Sequence, residues 1–130
     1  MTKHPHYDLN DRIINYAVAI IRLCEELPDS KAGKHIGGQL LRSGTAPAPN
    51  YGEAQSAESR ADFVHKLKVA LKELRECEMW LKVIKRARML TDTAGLEALL
   101  AETDELLAIL VSSVQTAKRN MQSESRTVDR

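Results

Sequence analysis

The sequence predicts an all-α fold, an antiparallel up-and-down four-helix bundle whose second helix is kinked or broken near Pro47 and Pro49. Three observations carry that expectation. Leu, Ala, Glu, Lys and Arg abound while aromatic residues make up only 4% of the 130 residues, which is a helical composition. Apolar residues recur in alternating steps of three and four along four separate stretches, the spacing that puts them on one side of a helix. No stretch alternates apolar and polar residues as a half-buried strand does. The length suits one domain with one core, read as a bundle over residues 1–122 and a polar, frayed tail over 123–130.

The first helix is predicted from about Leu9 to Leu27, with Ile13, Ala17, Ile20, Cys24 and Leu27 on its inner stripe. Asp8 or Asn10 caps its start, and Pro28 ends it because proline has no N–H and its ring obstructs the helical turn. The second segment, Lys31 to Ala57, holds five glycines and two prolines. It reads as a helix to about Thr45 with Ile36, Leu40 and Leu41 inward, an interruption over 46–49, and two further turns through Gln55. Asn50 and Glu53 then stand as a capping box for the restarted helix, with a polar contact near the kink as the alternative.

The third helix starts at a box made by Ser59 and Asp62 and carries Phe63, Leu67, Ala70, Leu74, Cys77, Leu81 and Ile84 inward. The fourth follows Thr91, Asp92 and Thr93, any of which caps it, with Leu96, Leu100, Thr103, Leu107, Leu110, Val114, Ala117 and Met121 inward. Its acids come early and Lys118 and Arg119 late, in agreement with the helix dipole. Helices three and four, joined by a few residues around Met89, are expected to form the most stable hairpin.

Both cysteines, Cys24 and Cys77, fall on predicted core positions, as reduced thiols of a cytoplasmic protein do. The first ten residues have no apolar run, and no run of about 18 apolar residues occurs anywhere, so neither export nor a membrane span is expected. Net charge is +1 but unevenly spread. Residues 63–90 carry eight basic and three acidic side chains, so the third helix is the basic part.

Catalysis would need a nucleophile beside a base in a pocket, yet Cys24 and Cys77 lie on apolar seams and His4, His6 and His35 in irregular segments. A bundle metal site would need paired carboxylate and histidine ligands from facing helices, and the one comparable pair is Asp62 with His65. No catalytic residue, metal or cofactor is therefore predicted. Lys68, Lys72, Arg75, Lys82 and Arg86 share the outer side of helix three. They form either a row that tracks phosphates or a solvated face neutralised by Glu73, Glu76 and Glu78 one turn away. Val69, Met79 and Val83 lie off the inner seam of the same helix, marking either a wide core face or a surface that meets another subunit; Trp80 sits at the core edge.

Several blocks together resemble the bacterial four helix bundle protein family, also named after proteins encoded in intervening sequences of 23S rRNA genes. They are Gln39-Leu40-Leu41-Arg42-Ser43-Gly44-Thr45, Asn50-Tyr51 with Glu53-Ala54, Ala57-Glu58-Ser59, Ala61-Asp62-Phe63-Val64-His65-Lys66-Leu67, Ala70-Leu71-Lys72-Glu73 and Trp80-Leu81. The motif positions are thus Arg42, Asn50, Glu53, Asp62, His65, Lys66, Glu73 and Trp80, and the match runs from about Leu9 to Lys118. The resemblance implies an antiparallel four-helix fold and relatives that form pentameric rings. It also implies a distant kinship with the accessory protein of diversity-generating retroelements, which binds a reverse transcriptase and nucleic acid. The chain departs from the family at Ala46-Pro47-Ala48-Pro49, usually Ser-Ile-Gly-Ala or Ser-Ile-Pro-Ala, and at Gly52, commonly Arg.

The resemblance favours a homo-oligomer, a pentamer among the options, with Val69, Met79 and Val83 at the subunit contact. The expected function is a non-enzymatic oligomeric scaffold or adaptor that engages RNA or a protein partner. The second reading is a nucleic-acid-binding accessory factor acting through the basic stripe of helix three.

Overall fold

The protein is described by a computed structural model that covers residues 5–128, with side chains from 9 to 125. Its elements are α1 (Pro5–Glu26), α2 (Lys31–Thr45), α3 (Pro47–Gln55), α4 (Arg60–Arg86) and α5 (Ala94–Val128), and no strand occurs among the described residues. α2 and α3 together make the second helix of the bundle, and α4 and α5 are its third and fourth. α1 packs on α2, α3 and α5, and α4 packs on the same three, so α1 and α4 occupy diagonal corners.

Local chemistry accounts for the helix ends. Ser30 accepts a hydrogen bond from the Gly33 N–H at 3.0 Å and Ser59 from the Asp62 N–H at 3.1 Å, each satisfying a donor that the first turn leaves open. Asp92 does the same for Ala94 at 3.0 Å. α4 ends with the Met89 N–H bonded to the Ile84 carbonyl and the Arg88 N–H to that of Lys85, which requires Arg88 in the left-handed region at φ 53°. Glycine usually takes that position, because a side chain there crowds the carbonyl that follows.

The joint between α2 and α3 is shorter than the four-residue interruption expected. Only Ala46 separates them, and its φ and ψ are helical at −66° and −35°. The Ala46 N–H bonds to the Arg42 carbonyl and the Asn50 N–H to that of Ala46, both at 3.2 Å. Pro47 opens α3 and Pro49 lies in its first turn, where a missing N–H is tolerated. The prolines therefore kink the second helix without unwinding it. Asn50, three residues inside α3, is consequently not a cap; its side-chain amide donates to the Ala46 carbonyl at 2.9 Å. Asp8 and Asn10 likewise fall inside α1, which starts at Pro5.

Glycine weakens an isolated helix, but in α2 Gly44 serves a close contact with α1 and Gly33 a close contact with the connection that precedes α2. A Cβ on Gly44 would stand 2.7 Å from two carbons of the fully buried Ile20, and one on Gly33 would stand 2.0 Å from the Pro28 carbonyl oxygen. Bare backbone lets α2 approach α1 more closely than any side chain would allow.

The core seam of α4 falls where the sequence placed it, with Leu67, Ala70, Leu74, Cys77, Leu81 and Ile84 buried and Phe63 half-buried. The neighbouring helices are rotated slightly from expectation. α1 buries Leu9, Ile13, Tyr16, Ile20 and Leu23, leaving Ala17 and Cys24 only half-buried. α5 buries Leu99 and Leu106 in preference to Leu100 and Leu107, and Leu41 of α2 turns out to solvent.

A chain of hydrogen bonds crosses the apolar interior. The Thr103 hydroxyl donates to the Leu99 carbonyl at 2.6 Å, so its oxygen is left to accept from the Tyr16 hydroxyl at 2.7 Å. The phenol oxygen in turn accepts from the Cys77 thiol at 3.1 Å. α1, α4 and α5 meet at these groups, and burial raises the phenol pKa far above its usual value, so the chain stays neutral.

Two substitutions test this account of the backbone. Gly44→Ala is expected to destabilise the fold by about 1–2 kcal/mol, because overpacking against Ile20 outweighs the better helix propensity of alanine. Arg88→Gly is expected to stabilise by about 0.5–1 kcal/mol, since release of left-handed strain exceeds the entropy that glycine loses on folding. Urea unfolding measures both, and a stabilising Gly44→Ala would contradict the close contact.

Candidate nucleic-acid interface

Successive heptads divide the outer side of α4 into two rows. Lys68, Arg75 and Lys82 lie toward α5, and Lys72, Met79 and Arg86 lie further out, with Val83 beside them. All five cations and both apolar residues, Met79 and Val83, are exposed. Val69 is half-buried and lies off these rows, on the side of α4 that carries Glu73 and Glu76.

The acids expected to neutralise the stripe mostly point elsewhere. Glu73 accepts from the Arg42 guanidinium at 3.0 Å, and Glu76 accepts from Arg42 and from the Trp80 indole N–H. Arg42 reaches over from α2 and holds both carboxylates on the flank of α4 away from α5. Among the described residues, Lys68, Lys72, Arg75 and Arg86 have no carboxylate within 4.0 Å, whereas Lys82 approaches Glu78 at 3.8 Å.

The grooves between α4 and α5 differ at their two ends. Toward the start of α4, Lys68 and Arg75 stand over Leu71, Val111, Val114 and Gln115. Lys118 of α5 joins them, and its pKa is lowered by the neighbouring Lys68 ammonium, as expected when two like charges face each other. Toward the end of α4, Lys82, Lys85 and Arg86 share the groove with Glu78, Glu97 and Asp104. There Lys85 pairs with Glu97 at 2.9 Å, and the pKa of Glu78 is raised by burial and by the adjacent Asp104 carboxyl. Positive charge is thus concentrated at one end, on Lys68, Arg75 and Lys118.

The remaining motif residues tie helices together. Glu53 of α3 pairs with Lys66 of α4 at 3.0 Å and is not the partner of a capping Asn50. Trp80 is half-buried, with the His35 ring edge-on at 6.3 Å between centroids. Asp62 lies in the first turn of α4, whose cap is Ser59, and His65 is exposed; among the described residues no three His, Cys, Asp or Glu side chains gather as metal ligands. His4 and the side chain of His6 lie outside the described residues. No described helix is long and apolar enough to cross a membrane.

Sequence reasoning missed Lys118, and also three exposed apolar residues of α1, Ile14, Val18 and Ile21. Lys118 becomes part of the basic cluster only once the pairing of α4 with α5 is known. The α1 residues were legible, because they repeat at steps of four and three on the side opposite the seam.

A profile of the family described as "23S rRNA-intervening sequence protein" matches residues 7–112. Among solved structures, the chain is similar to a protein of unknown function from the S23 ribosomal protein family of Bacteroides thetaiotaomicron VPI-5482. The two are 35% identical with a TM-score of 0.75, over 82% of this chain and 97% of that one. No curated protein matches the chain.

Burial pushes the Cys77 thiol up to about 12 and the Cys24 thiol up to about 11, so little thiolate is present near pH 7. A thiol reagent at pH 7.5 should therefore label half-buried Cys24 slowly and Cys77 only on unfolding. Mass spectrometry of the modified peptides checks this, and rapid native labelling of Cys77 would contradict the packing around Tyr16.

Proposed function

The chain belongs to the 23S rRNA-intervening sequence protein family, and from that premise we propose that it is a non-enzymatic adaptor that holds RNA by its phosphates. The contact runs along the α4–α5 groove at Lys68, Arg75 and Lys118, with Lys72 flanking it. The observation that carries this reading is the engagement of Glu73 and Glu76 by Arg42, which leaves these cations without carboxylate partners among the described residues. Counterions that gather on such a cluster are released when phosphates replace them.

The same side chains define the kind of binding. Lysine and arginine on an open groove position a backbone without reading bases, and Gln115 is the one side-chain amide lining this end. With a net charge of only +1, affinity is low and depends on the local cluster. The two lysines that repel each other gain from an intervening phosphate, which gives the groove a preference for anions at that point.

Fluorescence anisotropy of a labelled single-stranded RNA, titrated at several salt concentrations, tests the proposal. Three cations predict a log–log slope of about −2, at about 0.7 per phosphate neutralised. Lys68→Glu with Arg75→Glu should abolish binding, whereas Lys82→Glu, already beside Glu78, should change it little. Equal loss from the double variant and from Lys82→Glu, or a tight complex indifferent to salt and selective for sequence, would overturn the assignment.

A further inference from the structure

The basic end of the α4–α5 groove holds a cleft of about 320 Å³, and part of its lining is apolar: Leu71, Val111 and Val114. Leu71 and Val114 are buried and Val111 is half-buried, whereas the cations beside them are exposed, so an apolar floor lies below a charged rim. On α4, Lys68, Leu71 and Arg75 follow at steps of three and four, and on α5 Val111, Val114 and Lys118 do the same, so each helix supplies one wall. Lys85 pairs with Glu97 near the connection between the helices and Lys68 faces Lys118 far from it, which makes α4 and α5 antiparallel. Lys68 and Lys118 therefore mark one end of the cleft. Arg75 marks the other, about 10 Å further along α4.

Phosphate contact makes no use of such a floor. Double-stranded RNA presents phosphates, sugars and base edges, while the flat faces of its bases are stacked inside the helix. A duplex resting on Lys68 and Arg75 would bridge the cleft and leave Leu71, Val111 and Val114 in water. An unpaired nucleotide has the complementary pattern, a flat ring of low polarity with a negative phosphate on either side. The cleft volume lies at the lower end of the range of about 300–1,000 Å³ usual for small-ligand sites, which suits one ring system and not a stack of them. The other end of the groove differs, because Glu78, Glu97 and Asp104 stand among its cations and oppose a phosphate there.

We infer that this cleft takes one unpaired base, its ring laid on Leu71, Val111 and Val114 and its flanking phosphates on Lys68 with Lys118 and on Arg75, so that the protein selects single-stranded RNA over duplex. The inference rests on the reading of the groove as a phosphate contact and adds the part of the nucleotide that phosphate contact leaves out. A base held by its face is not identified, because every base has one, so binding stays indifferent to sequence. Gln115, exposed at the rim, both donates and accepts and therefore meets the edge of any base. Selection against duplex follows from the cost of unpairing, which a single strand does not incur when one base turns out of its stack.

Anisotropy titrations of the unaltered chain with three RNAs of equal length test the inference: a single strand, the same strand without its bases, and the duplex. The single strand should bind roughly fivefold tighter than either of the others, the lower end of what one stacked base contributes. Phosphate contact alone predicts another order, with the base-free strand equal to the intact one and the more densely charged duplex tightest. A 2-aminopurine in the strand should brighten on binding, as it does on leaving its stack. Val111→Asn, which makes the floor polar and leaves every cation in place, should bring the intact strand down to the affinity of the base-free one with the salt slope unchanged. Equal affinity for intact and base-free strands, a duplex bound as tightly as the single strand, or no change in 2-aminopurine emission would overturn the inference and leave the phosphate contact standing. No binding of any of the three RNAs at about 50 mM salt would overturn both.

Discussion

The buried hydrogen-bond chain from Cys77 through Tyr16 and Thr103 to the Leu99 carbonyl fixes how three helices sit against one another. Apolar seams alone tolerate small rotations, because leucines on adjacent rows fill similar space. A hydroxyl that must find its partner in an apolar interior does not tolerate them, since an unmade hydrogen bond there costs about 1–3 kcal/mol. With Tyr16, Cys77 and Thr103 turned inward, the rotations of α1, α4 and α5 follow. So do their outward faces: Val18 on α1, Lys72 and Met79 on α4, and Lys118 beside Lys68 across the α4–α5 groove.

Ion pairs along the helix boundaries then decide which charges remain available. Arg12 of α1 holds Glu102 and Glu105 of α5, Lys66 holds Glu53, and Arg42 holds Glu73 and Glu76. Pairs this exposed contribute little stability, because solvent screens them. The Arg42 pairs have their larger effect on the charge pattern, because Glu73 and Glu76 are turned away from the cations of the α4–α5 face. A chain with almost no net charge thereby presents a basic cluster at one end of a groove and a more balanced mixture at the other.

Much of the bundle was legible in the sequence because amphipathic periodicity is a direct consequence of helix geometry. α4 is the clearest case: its seam from Leu67 to Ile84 is continuous, strongly capped by Ser59, and free of proline and glycine. Periodicity was less decisive in α1 and α5, where apolar residues occupy adjacent rows and the choice between Leu99 and Leu100, or between Tyr16 and Ala17, depends on what the facing helix offers. The effect of Pro47 and Pro49 was overestimated, because position within the first turn matters more than the presence of proline. The charge cluster was half legible: its α4 members follow from spacing, but Lys118 and the diversion of Glu73 and Glu76 to Arg42 are tertiary facts. The apolar face of α1 was present in the sequence as a second stripe and was obscured by the stronger one beside it.

The central claim is that the groove between α4 and α5 is where phosphates bind. Chemical-shift mapping of the isotope-labelled protein with a short single-stranded RNA at about 50 mM salt locates the contact directly, whatever its strength. The account predicts the largest changes at Lys68, Arg75, Gln115 and Lys118, with the Arg42 flank and α1 unaffected. Changes centred on α1 or α2, or none as RNA is added to excess, would contradict it.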